Sequence, residues 1–194
     1  MLSEKSGAKI QLGPNSLEFS NLEYQLQISL KSSTVRILSA YSISNPHLTL
    51  SYERKSKDVL CLESWLDSTQ LTGINTEEDV IRRGFQFAAP TQGLVFSVGQ
   101  IDVEKTAGAA PYTRKAMLCL VGVGRAFVAD LARAEREQVP QGYQSYYIQH
   151  EGVTEHTRDY RHDYFIKNSA QVLPQYLVTY EYDPNWEMAA REVM

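Results

Sequence analysis

Three side chains able to hold a metal, His156, Asp159 and His162, stand three residues apart in the segment HTRDYRHD. On a helix that spacing would offer two imidazoles and a carboxylate to a zinc ion. The segment is polar and lacks the apolar period of a helix, so it reads as a solvated loop and no metal is expected. Asp163, the next residue, is on its own an ordinary strand-end acid ahead of Tyr164-Phe165-Ile166. Gly122-Val123-Gly124 follows a strand-like run, but no third glycine or following acid completes a dinucleotide fingerprint. No Ser or Cys sits in a nucleophile elbow, so hydrolase chemistry has no support.

The elements that must position these residues belong to a chain of 194 residues, enough for one domain with a sizeable core. Its 43% hydrophobic and 22% charged residues are ordinary for a globular protein. No apolar run approaches the ~18–20 residues of a membrane span, and the first residues lack a secretory signal's apolar core. Cys61 and Cys119 lie in strand-like apolar stretches and read as reduced core thiols. These features point to an intracellular protein, cytoplasmic (a cytoskeletal assembly included) or nuclear. The net charge of −4, spread over 19 basic and 23 acidic residues, leaves no footprint for nucleic acid.

Along the chain, residues 1–20 read as a mobile arm or edge element. NLEYQLQISL alternates apolar and polar residues as a half-buried strand or extended tail does, with a helix as the alternative. Val35–Ile43 is a strand by composition, and Asn45-Pro46 is a cap and first turn for a helix through PHLTLSYERKS. Thr76-Glu77-Glu78 opens a short helix that Gly84 stops. Leu94–Val98 reads as a strand, and Ala116–Val123 as the central one, buried on both faces. The run FVADLARAEREQ is compatible with a helix ended by Pro140. Tyrosines gather in the last third of the chain, where most should fill sheet faces and any left exposed would suit a protein interface.

Residues 162–182 read HDYFIKNSAQVLPQYLVTYEY. With Gln171, Val172, Pro174, Tyr176 and Leu177 in place, this segment resembles the final strand pair of the poly(ADP-ribose) polymerase-like ADP-ribosyltransferases. Asn45, Pro46, Leu48 and Tyr52 fit that family's first helix, and Pro140, Gly142 and Ser145 its turn before a later strand. The resemblance implies a single α+β domain over residues 33–183, with two packed antiparallel-rich β-sheets and a few short helices. Residues 1–32 would be an N-terminal extension and 184–194 a tail.

The family transfers ADP-ribose from NAD with a His that holds the adenosine-side ribose, a Tyr that stacks on nicotinamide, and a Glu that engages the ribose hydroxyl. The resemblance places these roles on Trp65-Leu66-Asp67-Ser68, on Gly93-Leu94-Val95-Phe96-Ser97, and on Asp163. Leu66 has no donor for the ribose, and Asp67 adds charge where a pyrophosphate would lie. Val95 has no ring, and Asp163 is one methylene short, a displacement that can cost on the order of a hundredfold in rate. The expected function is therefore a catalytically silent module serving protein contacts or structure in a larger assembly, with protein partners and no cofactor. The alternative is an atypical NAD-dependent mono-ADP-ribosyltransferase that uses Asp163, with Ser68 helping to rebuild the NAD site.

Overall fold

A computed structural model describes residues 7–87, 92–98, 111–154, 156 and 161–183. Two sheets face each other. The first, sheet A, runs β1 (Ala8–Gln11), β2 (Arg36–Ser44), β9 (Val172–Tyr182), β5 (Tyr112–Gly122) and β3 (Cys61–Asp67) in spatial order. The second, sheet B, runs β4 (Leu94–Val98), β8 (His162–Ile166), β7 (Ser145–Ile148) and β6 (Ala126–Ala129). Every pairing is antiparallel except β6 with β7. Four helices complete the described chain: α1 (Leu17–Leu30), α2 (Pro46–Ser56), α3 (Glu77–Arg83) and α4 (Leu131–Arg136).

Alternation along the strands sorts side chains into three apolar layers. Between α1 and sheet A lie Phe19, Leu22, Leu26, Ala40, Trp65, Leu118 and Val178. Between the sheets lie Leu66, Met117, Cys119 and Leu177 from sheet A and Phe96 and Ile166 from sheet B, closed by Val80, Ile81 and Phe85 of the α3 region. Under α4, on the outer face of sheet B, are Tyr146, Ile148, Phe165, Ala129 and Ala134. Each large apolar side chain so buried contributes about 1.5–3 kcal/mol, so loss of any one layer would unfold the domain.

Polar residues quoted from the sequence motifs act as joints between these layers. Asn45 caps α2 by accepting from the Leu48 N–H at 3.2 Å, and its amide donates to the Ile81 and Arg82 carbonyls at 3.0 Å each, tying α2 to the end of α3. Thr76 caps α3, and Gly84 ends it at φ 75°, where the Leu48 side chain leaves no room for a Cβ. Buried Gln171 donates to the Gly122 carbonyl at 2.7 Å and to the Gln144 carbonyl at 2.9 Å, and Ser145 Oγ donates to the Val123 carbonyl at 2.7 Å. Each bond gives a backbone carbonyl at a junction between elements a side-chain donor.

Several expectations change. Leu22–Leu30 is neither strand nor tail but most of α1, capped by Ser16 and closed by Lys31 in the left-handed conformation. Within residues 1–20, Ala8–Gln11 takes the edge position of sheet A. The middle strand of that sheet is β9, and β5 lies beside it with Ala116–Cys119 buried on both faces. FVADLARAEREQ divides at Asp130, which caps α4, while Ala126–Ala129 becomes an edge strand held by β7. Cys119 is buried, and burial pushes its thiol pKa up; Cys61 is exposed at the start of β3, so it is not a core thiol. Tyr146 and Tyr180 fill sheet faces, as expected for the tyrosines of the C-terminal third. Residues 184–194 lie outside the described residues.

Candidate functional site

Asp163 sits on β8 directly opposite Ser97 of β4 on one side and Ile148 of β7 on the other. Its side chain is only 1% exposed. Ser97 Oγ donates to Oδ1 at 2.5 Å, and Arg161 Nε lies 3.1 and 3.0 Å from the two oxygens. His150 Nε2 is 2.6 Å from Oδ2. An ionised carboxylate only accepts, so Nε2 is the protonated ring nitrogen. Burial alone would raise the Asp163 pKa, but the hydrogen bonds from Ser97, Arg161 and His150, with the Arg161 charge, outweigh it and hold the carboxyl below its ordinary value. Both oxygens are thus occupied within the protein, and no face is left for a sugar hydroxyl.

Val95 lies two residues before Ser97 on β4, so it shares the outer face of sheet B with Asp163 and packs beside Phe165, its partner across the strands. The structure brings these two positions together. Leu66 is elsewhere: it is 1% exposed in the layer between the sheets, with Phe96 and Met117. Nearby, Ser64 Oγ donates to the Ser97 carbonyl at 2.7 Å and pins β3 to β4 where the two sheets meet.

Asp67 pairs with Ala116 and so points to the α1 side of sheet A, away from Leu66. Oδ1 caps a 3-10 turn over Ser68–Gln70 by accepting from the Thr69 N–H at 2.9 Å and its hydroxyl at 2.7 Å. Oδ2 accepts no hydrogen bond among the described residues; Arg114 Nη1 is 3.8 Å away, and the buried Tyr180 hydroxyl is also without a partner. Burial raises the Tyr180 pKa, with the Asp67 charge adding to the effect and Arg114 opposing it. Asp67 and Ser68 line a shallow cavity of about 580 Å³ with Thr113, Arg114 and Thr179. A second hollow of about 610 Å³ is lined by Ile74, Asn75, Phe87 and Phe165. Neither wall includes Leu66, Val95 or Asp163.

The residues at the transferase positions do not fit NAD. Leu66 offers no donor and is enclosed in the core, Val95 has no ring, and the Asp163 carboxylate is sealed. Reading the sequence alone missed Ser97, His150 and Arg161. Ser97 was within reach, because it lies two residues from Val95 on the same strand face, and Arg161 stands just ahead of β8, two residues before Asp163. His150 comes from the loop after β7 and left no local signal. Of the candidate metal ligands, Asp159 lies outside the described residues and His162 Nδ1 bonds the Tyr147 hydroxyl at 3.0 Å. No group of three ligands gathers among the described residues.

Two antiparallel-rich sheets close on a common apolar layer, with the last described strand in the middle of one sheet, and the fold is poly(ADP-ribose) polymerase-like. No protein-family model and no curated protein matches the sequence. Among solved structures it is similar to the TASOR pseudo-PARP domain, with a TM-score of 0.69 at 13% identity, covering 90% of this chain and 99% of that one. At that identity the likeness is one of fold.

Proposed function

We propose that this protein is a catalytically silent ADP-ribosyltransferase-like domain that works through protein contacts, as an interaction or structural module of a larger assembly. The observation that carries this reading is the state of Asp163. A carboxylate that is to polarise a ribose hydroxyl must present an oxygen to the ligand, and here Ser97, His150 and Arg161 take both. The joints that hold the layers, Asn45, Ser145 and Gln171, are intact beside it. An intact scaffold around a carboxylate whose oxygens are both occupied fits a surface role better than chemistry. The partners are proteins, met inside the cell, and no cofactor is required.

Titration calorimetry with NAD up to millimolar concentration, together with transfer from labelled NAD, tests the silent half. No heat of binding and no labelled product are expected. Binding or transfer that disappears in Asp163→Ala would establish the atypical transferase instead. For the other half, affinity purification of the intact chain should bring down a protein in stoichiometric amount, and recovery of the chain alone would count against an assembly role.

A further inference from the structure

Sheet B ends in β6, and one side of that strand is open. The Gln144 and Gln149 N–H groups donate to the Arg125 and Ala129 carbonyls at 2.9 Å each, so β6 turns Arg125, Phe127 and Ala129 towards β7. Backbone groups of successive strand residues point to opposite sides. Ala126 and Val128 therefore direct their N–H and C=O groups outward, where none has a hydrogen bond among the described residues. Edge strands are commonly guarded by Lys, Pro or a bulge. β6 is short but reads Ala-Phe-Val-Ala, with none of these, and Val128 is 56% exposed beside the open groups.

The two ends of this edge carry opposite charge. At its start the exposed Arg125 guanidinium lies 4.8 Å from the centre of the Tyr143 ring, which meets Phe127 edge-on at 5.2 Å. Stacking orients the guanidinium, and no acid pairs with it among the described residues. At the far end stands exposed Asp130, whose Oδ1 accepts from the Arg133 N–H at 2.7 Å, and the loop that passes there through Gln149 adds exposed Glu151. Arg133 and Glu137 of the α4 region pair with each other at 2.8 Å. An extended segment with an acid at one end and a base at the other matches both the backbone row and the two charges. A second copy matches less well. With two β6 strands antiparallel, Arg125 would face the partner's Ala129, beside an α4 that carries Arg133 over the Phe127 ring at 5.0 Å, so guanidiniums would gather on one face.

We propose that β6 is a docking edge that takes an extended segment of a partner protein as an added antiparallel strand, with a carboxylate of the segment on Arg125 and a basic side chain at Asp130. Antiparallel pairing is chosen because it is the more stable per residue. The inference rests on the reading of the protein as a contact module and names the chemistry of its partner. The two fail separately: a segment that does not bind removes this edge, whereas NAD binding or transfer removes the silent module.

The probe is the labelled, end-capped hexapeptide Lys-Val-Thr-Val-Thr-Glu, titrated with the full chain and read by fluorescence anisotropy. Paired antiparallel, it sets its Glu beside Arg125, its two Val opposite Ala126 and Val128, and its Lys at Asp130. Binding is expected between micromolar and millimolar concentration. The peptide with its ends exchanged, Glu-Val-Thr-Val-Thr-Lys, should bind about tenfold more weakly, since both charge pairs become repulsions. Methylating both Val amides, which face β6, should abolish binding, whereas methylating both Thr amides, which face away, should not. Arg125→Ala should weaken binding about fivefold, less so as salt is raised. Val128→Pro removes an outward donor and leaves the Arg125 and Ala129 bonds to β7, a placement an edge strand tolerates, and it should weaken binding too. Should that variant unfold, as circular dichroism would show, hydrogen exchange in the wild type carries the test, and the peptide must slow it at the Ala126 and Val128 amides. No binding at millimolar concentration overturns the proposal, as do equal affinities for the two peptides or equal effects of the two methylations. A chain that dimerises on sedimentation, and whose dimer Val128→Pro dissolves, would give the edge to a second copy and overturn it as well.

Discussion

Each sheet buries one of the two carboxylates singled out in the sequence, and the two are accommodated in opposite ways. Asp163 in sheet B is held from three directions by a hydroxyl, an imidazole and a guanidinium. Asp67 in sheet A spends one oxygen on a cap and leaves the other without a hydrogen bond among the described residues, with Arg114 at 3.8 Å. The first is a structural lock whose partners come from β4, from the approach to β8 and from the loop after β7. The second belongs to a local turn with a loosely matched charge beside it. A buried acid therefore signals chemistry only when an oxygen remains to be used, and neither residue meets that condition together with a site shaped for NAD.

The contrast is broken most severely by Asp163→Ala, which leaves Arg161 and His150 facing a buried gap. A loss of about 3–5 kcal/mol is expected, read from urea unfolding, and a change below about 1 kcal/mol would deny the lock. His150→Ala removes one charged hydrogen bond and should cost about 1.5–3 kcal/mol in the same assay. Asp67→Ala should cost less, about 0.5–2 kcal/mol, the value of a cap, while Asp67→Asn keeps an oxygen for Thr69 and should melt near the wild type. If Asp67→Ala were the more damaging of the two alanine replacements, the ranking of the two sites would be reversed.

Acid supplies the finest comparison. Because the folded Asp163 pKa is depressed, its contribution is fully present above the unfolded value near ~4 and is lost as pH falls through the folded value. The stability gap between wild type and Asp163→Asn should accordingly be constant near neutrality and shrink below about pH 4. A gap unchanged into strong acid would mean that ionised Asp163 contributes nothing.

Much of the fold could be read from residues with a single strong local preference. Asn45-Pro46, Thr76 and Gly84 each have a side chain or backbone that one position suits, and the structure uses them there. The 162–182 motif was legible because its marker residues lie close together in sequence, although the bonds Gln171 makes, to the Gly122 and Gln144 carbonyls, reach far along the chain. What failed was local pattern with two meanings. Alternation over Leu22–Leu30 fits a strand with one wet face and equally a helix with two apolar faces, and only packing decides. Ala126–Ala129 has helical neighbours, but pairing with β7 supplies hydrogen bonds that outweigh local preference. Of the candidate site, Asp163 and Val95 were named from flanking motifs and share one sheet face, Leu66 lies apart from them in the core, and His150 is brought in by loop closure that no period records.

The strand order carries a consequence for how the chain comes to be made. β9 lies between β2 and β5, yet it follows every other described strand in sequence. During synthesis the two flanks of sheet A have no template between them until β9 has emerged, so this sheet cannot close as the chain grows. Its pairings span long stretches of sequence, which slows closure further. Until then β5, buried on both faces over Ala116–Cys119 and paired only with β3, keeps one edge open, the kind of transient surface that makes a nascent chain prone to aggregate.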